Sequence, residues 1–574
     1  MADLESLLNA RLADAFAAVA GTPADPAVHR SRHADFQADA ALALARRLGR
    51  NPREIAADVI ARADLADLCQ SVELAGPGFV NLTVSDDALG RLLAEMIGDE
   101  RLGVPPAEHR ERVVVDYSAA NAAKEMHVGH LRSTIIGDAA VRILEWFGHT
   151  VLRENHVGDW GTPFGMLVEH LLDIGEDEAT HELSMGDLNG FYQAARAKFD
   201  ADETFRDRSR QRVVVLQRGD PDTRRLWEVL IRESEKYFLT VYQRLGVRLT
   251  ADDFVGESFY NDQLDDVVAE LDELGLLRES DGAQCVFPAG FTNRAGDPLP
   301  LIVRKRDGGY GYPATDLATI RHRIRDEKAT RLVYVVGVPQ QQHFAMIYET
   351  AREAGWLAPP TRAEHVAFGS VLGPDGKVLR TRAGASIKLV DLLDEAVARA
   401  GAVVAEKSPR LDSAEQSAIA HAVGIGAIKY ADLVNDRNRD YVFDWSRMLA
   451  LDGNTGPYLQ YAHARICSIF RRGNFALPLD AETITIADAA ERALAIELLG
   501  FARVLGEVAE SLEFHKLAGY LHGLATTFTT FYEHCSVLRA EEPTRTSRLA
   551  LCGLTARTMA LGLHLLGIKA PERM

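Results

Sequence analysis

The sequence predicts an α/β protein: a parallel sheet wound with helices on both faces, preceded by a smaller α+β region and followed by an all-α bundle. Three observations carry this. Between about residues 110 and 385, short β-branched runs alternate with segments of helical periodicity. The first of these runs, Val113–Val115, ends in polar residues and feeds a long amphipathic helix. From about residue 390 onward, nearly every segment has helical spacing. At 574 residues the chain is too long for one core. Three domains are expected, over 1–106, 107–388 and 389–574, with a helical insert at about 186–250 in the second.

The first domain opens with an amphipathic helix over Leu4–Val19, followed by helices over Ala40–Leu48 and Pro52–Ala63. Gly76-Pro77-Gly78 turns into a strand ending at Val84, and Pro105-Pro106 reads as a linker. In the second domain the strands are Val113–Val115, Thr150–Arg153, Leu332–Val336 and His365–Leu372. Helices over Leu131–Phe147, Trp160–Ile174, Ala314–Arg325 and His343–Ala354 lie between them. Such a sheet binds ligands at the carboxyl ends of its strands. The insert carries Arg206, Arg208, Arg210, Arg212, Arg218, Arg224 and Arg225. That run reads equally as a solvated helical face or as a contact for an RNA end. The third domain has helical spacing over Leu392–Glu406, Ala414–Tyr430, Tyr458–Phe470, Glu491–Leu512, Leu517–Phe531 and Arg545–Leu566.

Composition narrows the class. A hydrophobic content of 47% suits a globular protein, and no apolar run approaches the ~18 residues of a membrane span. The acidic, helix-like start lacks the pattern of a secretory signal, so a cytoplasmic protein with no membrane partner is expected. The five cysteines form no CxxC pair, which predicts buried thiols and no metal site. A net charge of −19 argues against indiscriminate nucleic-acid binding but leaves room for a specific RNA surface.

The chemistry is concentrated in a few places. His127-Val128-Gly129-His130 stands where a loop enters the helix Leu131–Phe147, which Gly148 ends. A helix N-terminus offers unpaired N–H groups and a positive dipole end to phosphate, and two imidazoles add donors. The bland alternative is a fortuitous cap and a core histidine. Asp116 ends the first strand, Asn121 follows it, Tyr312 and Asp316 share a helix face, and Gln340 follows a later strand. If these strand ends converge, two carboxylates, amides and a phenol suit a guanidinium with its fork of donors. Otherwise Asp316 simply pairs with a neighbour such as Arg321. After a tight turn at Gly373–Gly376, Lys377 and Arg380 begin a basic loop, Lys377 to Gly384, suited to clamping a triphosphate. The loop and helix holding Tyr458, Gln460, Tyr461, His463 and Arg465 suit stacking and hydrogen bonding to unpaired bases, or ordinary packing.

These features together resemble the class I arginyl-tRNA synthetases, nearly end to end. His127 to His130 matches the class I HIGH element. The longer strings Ala123 to Asp138 and Asn155 to Gly165 resemble the arginine enzymes specifically. The resemblance implies a Rossmann-like catalytic domain, an N-terminal domain that contacts the tRNA elbow and a helical anticodon-binding domain. It implies arginine, ATP with Mg2+, and tRNA(Arg) as partners of a monomer. Arginine is activated as an adenylate and then passed to the tRNA, and activation is expected to need bound tRNA. Asp116, Asn121, Tyr312, Asp316 and Gln340 would hold arginine; Asp116 stands where the family often has glutamate. His127, Gly129 and His130 would bind ATP. The second class I element, Lys-Met-Ser-Lys-Ser, is missing, and Thr381 stands near the place of its second lysine. Family members of this kind carry a lysine just before HIGH. Lys124 occupies that position, with Lys377 and Arg380 as helpers. Tyr458, Gln460, Tyr461 and Arg465 would contact tRNA. Another class I synthetase, such as the cysteine enzyme, would want a cysteine-rich zinc cluster. A non-catalytic tRNA-binding paralogue would have lost the histidines or the acids. A plain nucleotidyltransferase would explain neither the insert nor the bundle.

Overall fold

The computed structural model describes residues 3–176, 188–380, 387–476 and 484–574, without the side chains of Thr162 and Gln217. The chain divides into two compact units. The first comprises 1–106, 403–430 and 449–574, and the second 107–402 and 431–448.

In the first unit, β1 (Val28–Arg30), β2 (Phe36–Ala38), β3 (Cys69–Ala75) and β4 (Phe79–Val84) form an antiparallel sheet in the order β1-β2-β4-β3. Helices Leu4–Ala20, Ala40–Leu48, Pro52–Ile60 and Asp86–Gly98 accompany it. Asp3 caps the first through its carboxylate, and Asn51 and Ser85 cap the third and fourth. The C-terminal helices belong to the same unit. Arg492 donates to Asp35, Asp86 and the Val84 carbonyl, and Arg557 donates to the carbonyls of Ile97 and Asp99. Gly90 lies so close to the Ile484 carbonyl that a Cβ there would stand 2.0 Å from its oxygen. The expected single helix over Glu491–Leu512 is two, Ala489–Leu498 and Phe501–Ser511, broken at Leu499-Gly500. Its apolar spacing continues across the break, so periodicity alone did not reveal it.

In the second unit, β5 (Arg112–Asp116), β6 (Thr150–Glu154), β10 (Arg331–Tyr334) and β11 (Arg362–His365) form a wholly parallel sheet in the order β11-β10-β5-β6. Val113, Val114 and Val115 are fully buried, as a strand covered on both faces requires. A smaller antiparallel sheet joins β7 (Leu277–Ser280), β8 (Ala283–Val286) and β9 (Leu301–Arg304). The expected strand His365–Leu372 is corrected: the ladder ends at His365, an isolated bridge joins Phe368 to Gly337, and β12 (Val371–Leu372) pairs instead in parallel with β13 (Tyr441–Val442). That pairing draws 431–448 into the second unit, whereas the expected boundary at 388 meets the start of helix Leu389–Lys407. A buried Arg132–Asp432 ion pair at 3.1 Å and a bond from Arg132 to the Arg439 carbonyl fasten the same segment.

Within the insert, helices Leu188–Ala201, Glu203–Gln217 and Pro221–Leu245 are described. Most of its arginines have partners within the second unit. Arg208 pairs with Asp173, Arg210 with Asp207, Arg212 with Glu169 and Arg225 with Glu176, while Arg206 donates to the Phe199 and Asp200 carbonyls. All five cysteines are buried. Among the described residues, no helix is long and apolar enough to cross a membrane.

Candidate active site

Register places one row of residues at the carboxyl end of the parallel sheet: His365 beside Tyr334, Tyr334 beside Asp116, Asp116 beside Glu154. Arg323, fully buried, ties two of them together. It donates to Asp116 at 2.9 Å and to Glu154 at 2.5 Å and 2.8 Å. Asp116 is 6% exposed and has one oxygen committed to this guanidinium.

The loop after β5 is held in an unusual shape. Ser118, Ala119 and Ala123 all have positive φ, which costs an L-residue about 1–2 kcal/mol each. Buried hydrogen bonds hold them. Ser133 and Asn155 accept from the N–H groups of Ser118 and Ala119, and Tyr242 bonds both Ser118 and Asn155. Ser234 accepts from the Ala123 N–H at 2.7 Å. Asn121 is exposed, and its side chain lies against Gly158, where a Cβ would come within 2.3 Å of its Oδ1.

That loop ends at His127, the N-cap of helix Val128–Trp146. His127 Nδ1 accepts from the Gly129 N–H at 3.0 Å, and His130 Nδ1 accepts from the His127 N–H at 3.1 Å. Burial, then Lys124, lowers the pKa of His127; burial, then His127, pushes His130 down to about 3. Both rings are therefore neutral near pH 7, and with Nδ1 accepting, each carries its proton on Nε2. The cap thus fixes two neutral N–H donors, with ring centroids 4.0 Å apart. Gly129 has a reason beyond access to its backbone: a Cβ there would lie 2.7 Å from the His127 ring. Lys124 lies with its ammonium 4.5 Å from the centre of the Tyr192 ring.

The basic loop is anchored on both sides. Leu379 N–H bonds Val371 and Gly373 N–H bonds Lys377, closing a hairpin whose turn needs Gly376 at φ +73. Lys377 and Arg380 are exposed on it. Thr381 to Gly384 lie outside the described residues. The chain resumes at Ile387–Leu389 antiparallel to Met126–Val128, with Lys388 opposite His127.

The expected guanidinium pocket differs in its pairing. Asp316 meets His343 Nε2 at 2.6 Å; Arg321 instead pairs with Glu270. Tyr312 is 74% exposed and borders a cavity with Lys305, Gln342 and His343. Gln340 is exposed in a 3-10 turn. Sequence reasoning missed Glu257, whose pKa is pushed up to about 8 by burial, then by Asp159 and Asp316. Asp159 in turn accepts from the Ser258 N–H and hydroxyl. The sequence signal was an acid at a short-helix start, Gly256-Glu257-Ser258, too common to single out.

On helix Gly456–Gly473 of the first unit, Tyr461 is 44% exposed and Tyr458 is half-buried against His522. Arg465 lies 4.7 Å from the Tyr532 ring centre. Gln460 is corrected: it is 0% exposed, and its amide donates to the Ala422 and Lys569 carbonyls. Such a group packs the bundle and leaves no donor for a base. His463 likewise turns inward, to the Pro571 carbonyl.

Comparison with known proteins follows the same division. Residues 93–445 match the family model described as tRNA synthetases class I (R), catalytic domain. Residues 459–574 match the DALR anticodon binding domain, and 2–84 the arginyl tRNA synthetase N terminal domain. The chain is 55% identical over 580 residues to a protein named arginine–tRNA ligase from Thermobifida fusca, covering 100% of both. Solved arginyl-tRNA synthetases from Plasmodium falciparum and Thermus thermophilus superpose with TM-scores of 0.87 and 0.83. Their identities are 29% and 26%, each over 100% of both chains.

Proposed function

Because the chain belongs to the class I arginyl-tRNA synthetases, we propose that its cleft at the strand ends activates arginine at the His127–His130 turn. The protein is an ATP-dependent arginine–tRNA ligase. An arginine carboxylate oxygen attacks the α-phosphorus of ATP, and the bond to pyrophosphate breaks. A terminal ribose hydroxyl of tRNA then attacks the arginyl carbonyl and AMP leaves.

The observation carrying the site assignment is the pair of Nε2–H donors that the capping arrangement fixes beside Lys124. Neutral donors and one ammonium suit phosphate oxygens, and they stabilise the charge that develops as pyrophosphate departs. Lys124 supplies the charge that the second class I element lacks, with Lys377 and Arg380 approaching from the hairpin. The donor set is cationic and N–H in character, so magnesium would ride on the triphosphate and neutralise its oxygens.

Arginine's carboxylate must reach this turn, which assigns its ammonium end to Asp116 and Asn121 on the same loop. The guanidinium extends to Tyr312, Asp316 and Gln340, joined by Glu257. Tyr458, Tyr461 and Arg465 present a stacking and cationic face for tRNA bases. Replacing Tyr461 with Ala should weaken tRNA binding about tenfold or more without altering arginine activation; unchanged affinity would return it to packing. We also take the protein to act as a cytoplasmic monomer, which elution as a dimer would contradict. The boundary proposed at 388 is best redrawn so that 107–402 and 431–448 form the catalytic unit, and 403–430 goes with 449–574.

The direct test is ATP–pyrophosphate exchange with each of the twenty amino acids, with and without tRNA. Exchange with arginine alone, when tRNA is present, is expected. Exchange with arginine in both conditions would reject only the tRNA requirement. No exchange from folded, tRNA-binding protein would overturn the catalytic reading.

A further inference from the structure

We propose that Tyr192, on insert helix Leu188–Ala201, is a positioning residue for adenylate formation, aiming the Lys124 ammonium at the phosphate-binding turn. The inference rests on the role just assigned to Lys124. The Lys124 Nζ lies 4.5 Å from the Tyr192 ring centre, within cation–π range. Among the described residues no carboxylate forms an ion pair with Lys124, while its neighbour Glu125 is engaged by Lys388 at 2.9 Å. The distinction has a chemical consequence. A carboxylate would hold the ammonium by neutralising it. A ring face holds it and leaves its full charge available to an incoming phosphate. That charge is felt at the turn, where Lys124 helps to depress both His127 and His130.

The insert also controls the backbone beneath this side chain. Ala123, immediately before Lys124, has φ 58, and its N–H is taken by Ser234 on insert helix Pro221–Leu245. One insert helix therefore sets where Lys124 leaves the chain, and another sets where its head rests. The insert is part of the activation machinery, not only a decoration of the sheet.

The test compares Tyr192→Leu, Tyr192→Phe, Lys124→Met and the Tyr192→Leu/Lys124→Met pair by ATP–pyrophosphate exchange at saturating tRNA, resolving kcat and KM for ATP and arginine. Tyr192→Leu should lower kcat/KM for ATP about tenfold, with KM for arginine unchanged. Tyr192→Phe should restore near-normal exchange, because the ring face suffices. The double variant should lose no more than Lys124→Met alone, since Tyr192 acts through that ammonium. Normal exchange by Tyr192→Leu, or multiplying losses in the pair, would overturn the proposal while leaving Lys124 its role. Full activity of Lys124→Met would remove the lysine's role and the proposal with it. Circular dichroism melts of each variant separate a folding defect from these outcomes, and the Phe rescue stands independently of it.

Discussion

Two pairs of acidic side chains in the catalytic unit meet different partners. Asp116 and Glu154 share the buried guanidinium of Arg323. Among the described residues no guanidinium pairs with Asp316 or Glu257; Asp316 meets the His343 imidazole, and Glu257 faces two other carboxylates. The first pair has a guanidinium from the fold, and Glu327 beside Glu154 has its pKa pushed up to about 8 by burial, then by Glu154. The second has an imidazole, and burial, then Asp159 and Asp316, pushes the Glu257 pKa up to about 8, so it keeps its proton near pH 7. The proposed arginine substrate would bring to Asp316 and Glu257 the kind of group that Arg323 already brings to the sheet.

The comparison breaks most visibly at Arg323. Arg323→Ala should cost about 3–5 kcal/mol of stability, because two buried carboxylates lose their counter-ion; denaturant titration measures it, and a loss below 1 kcal/mol would mean the pair is not held as described. Next, Asp316→Asn should raise the arginine KM about 10- to 100-fold, the worth of a charged hydrogen bond, with little change for ATP. Equal effects on both substrates would dissolve the distinction between the pairs. Asp116→Asn should act mainly on stability, by about 1–3 kcal/mol, with a smaller rise in arginine KM than Asp316→Asn gives. The reverse order would place the guanidinium at the sheet.

The smallest effect is on pH dependence. Glu257 titrates near 8 in the fold against a usual 4.5. Because its folded value is raised, the fold binds a proton the unfolded chain has released. Its influence therefore lowers stability progressively as pH rises from 4.5 towards 8. The same ionisation adds charge for a guanidinium, so arginine KM should fall as pH rises through about 8. Glu257→Gln should flatten both trends in melting and kinetic profiles; an unchanged slope would assign them to another group.

Much of this was legible in the sequence, and the rest failed for identifiable reasons. The helix after His127 was readable because Leu131, Ile135, Ile136, Ala139, Ile143 and Leu144 repeat on one buried face. Val113–Val115 announced a covered strand. The Asp116–Arg323 pair spans 207 positions and joins a strand end to the helix Tyr312–Arg325, so it exists only in the tertiary fold. Ser234, Tyr242 and Tyr192 were invisible for the same reason: their partners lie on the loop after β5. Gln460 misled because a polar residue on an aromatic, basic helix looks like a reader of bases until burial is known. The insert's arginines left two readings open, since their acidic partners Glu169, Asp173 and Glu176 precede the insert and could not be matched to them by spacing.

The left-handed backbone at Ser118, Ala119 and Ala123 has a consequence for how this chain would respond to selection in the laboratory. Glycine suits those angles better than alanine does. Ala123→Gly should therefore make the fold more robust, by about 1 kcal/mol, while freeing the peptide that sets Lys124 in place. A screen for heat resistance would favour that change, and a screen for turnover would reject it. The discomfort of this loop is retained where the reaction needs a fixed arrangement, and the rest of the fold is stable enough to carry it.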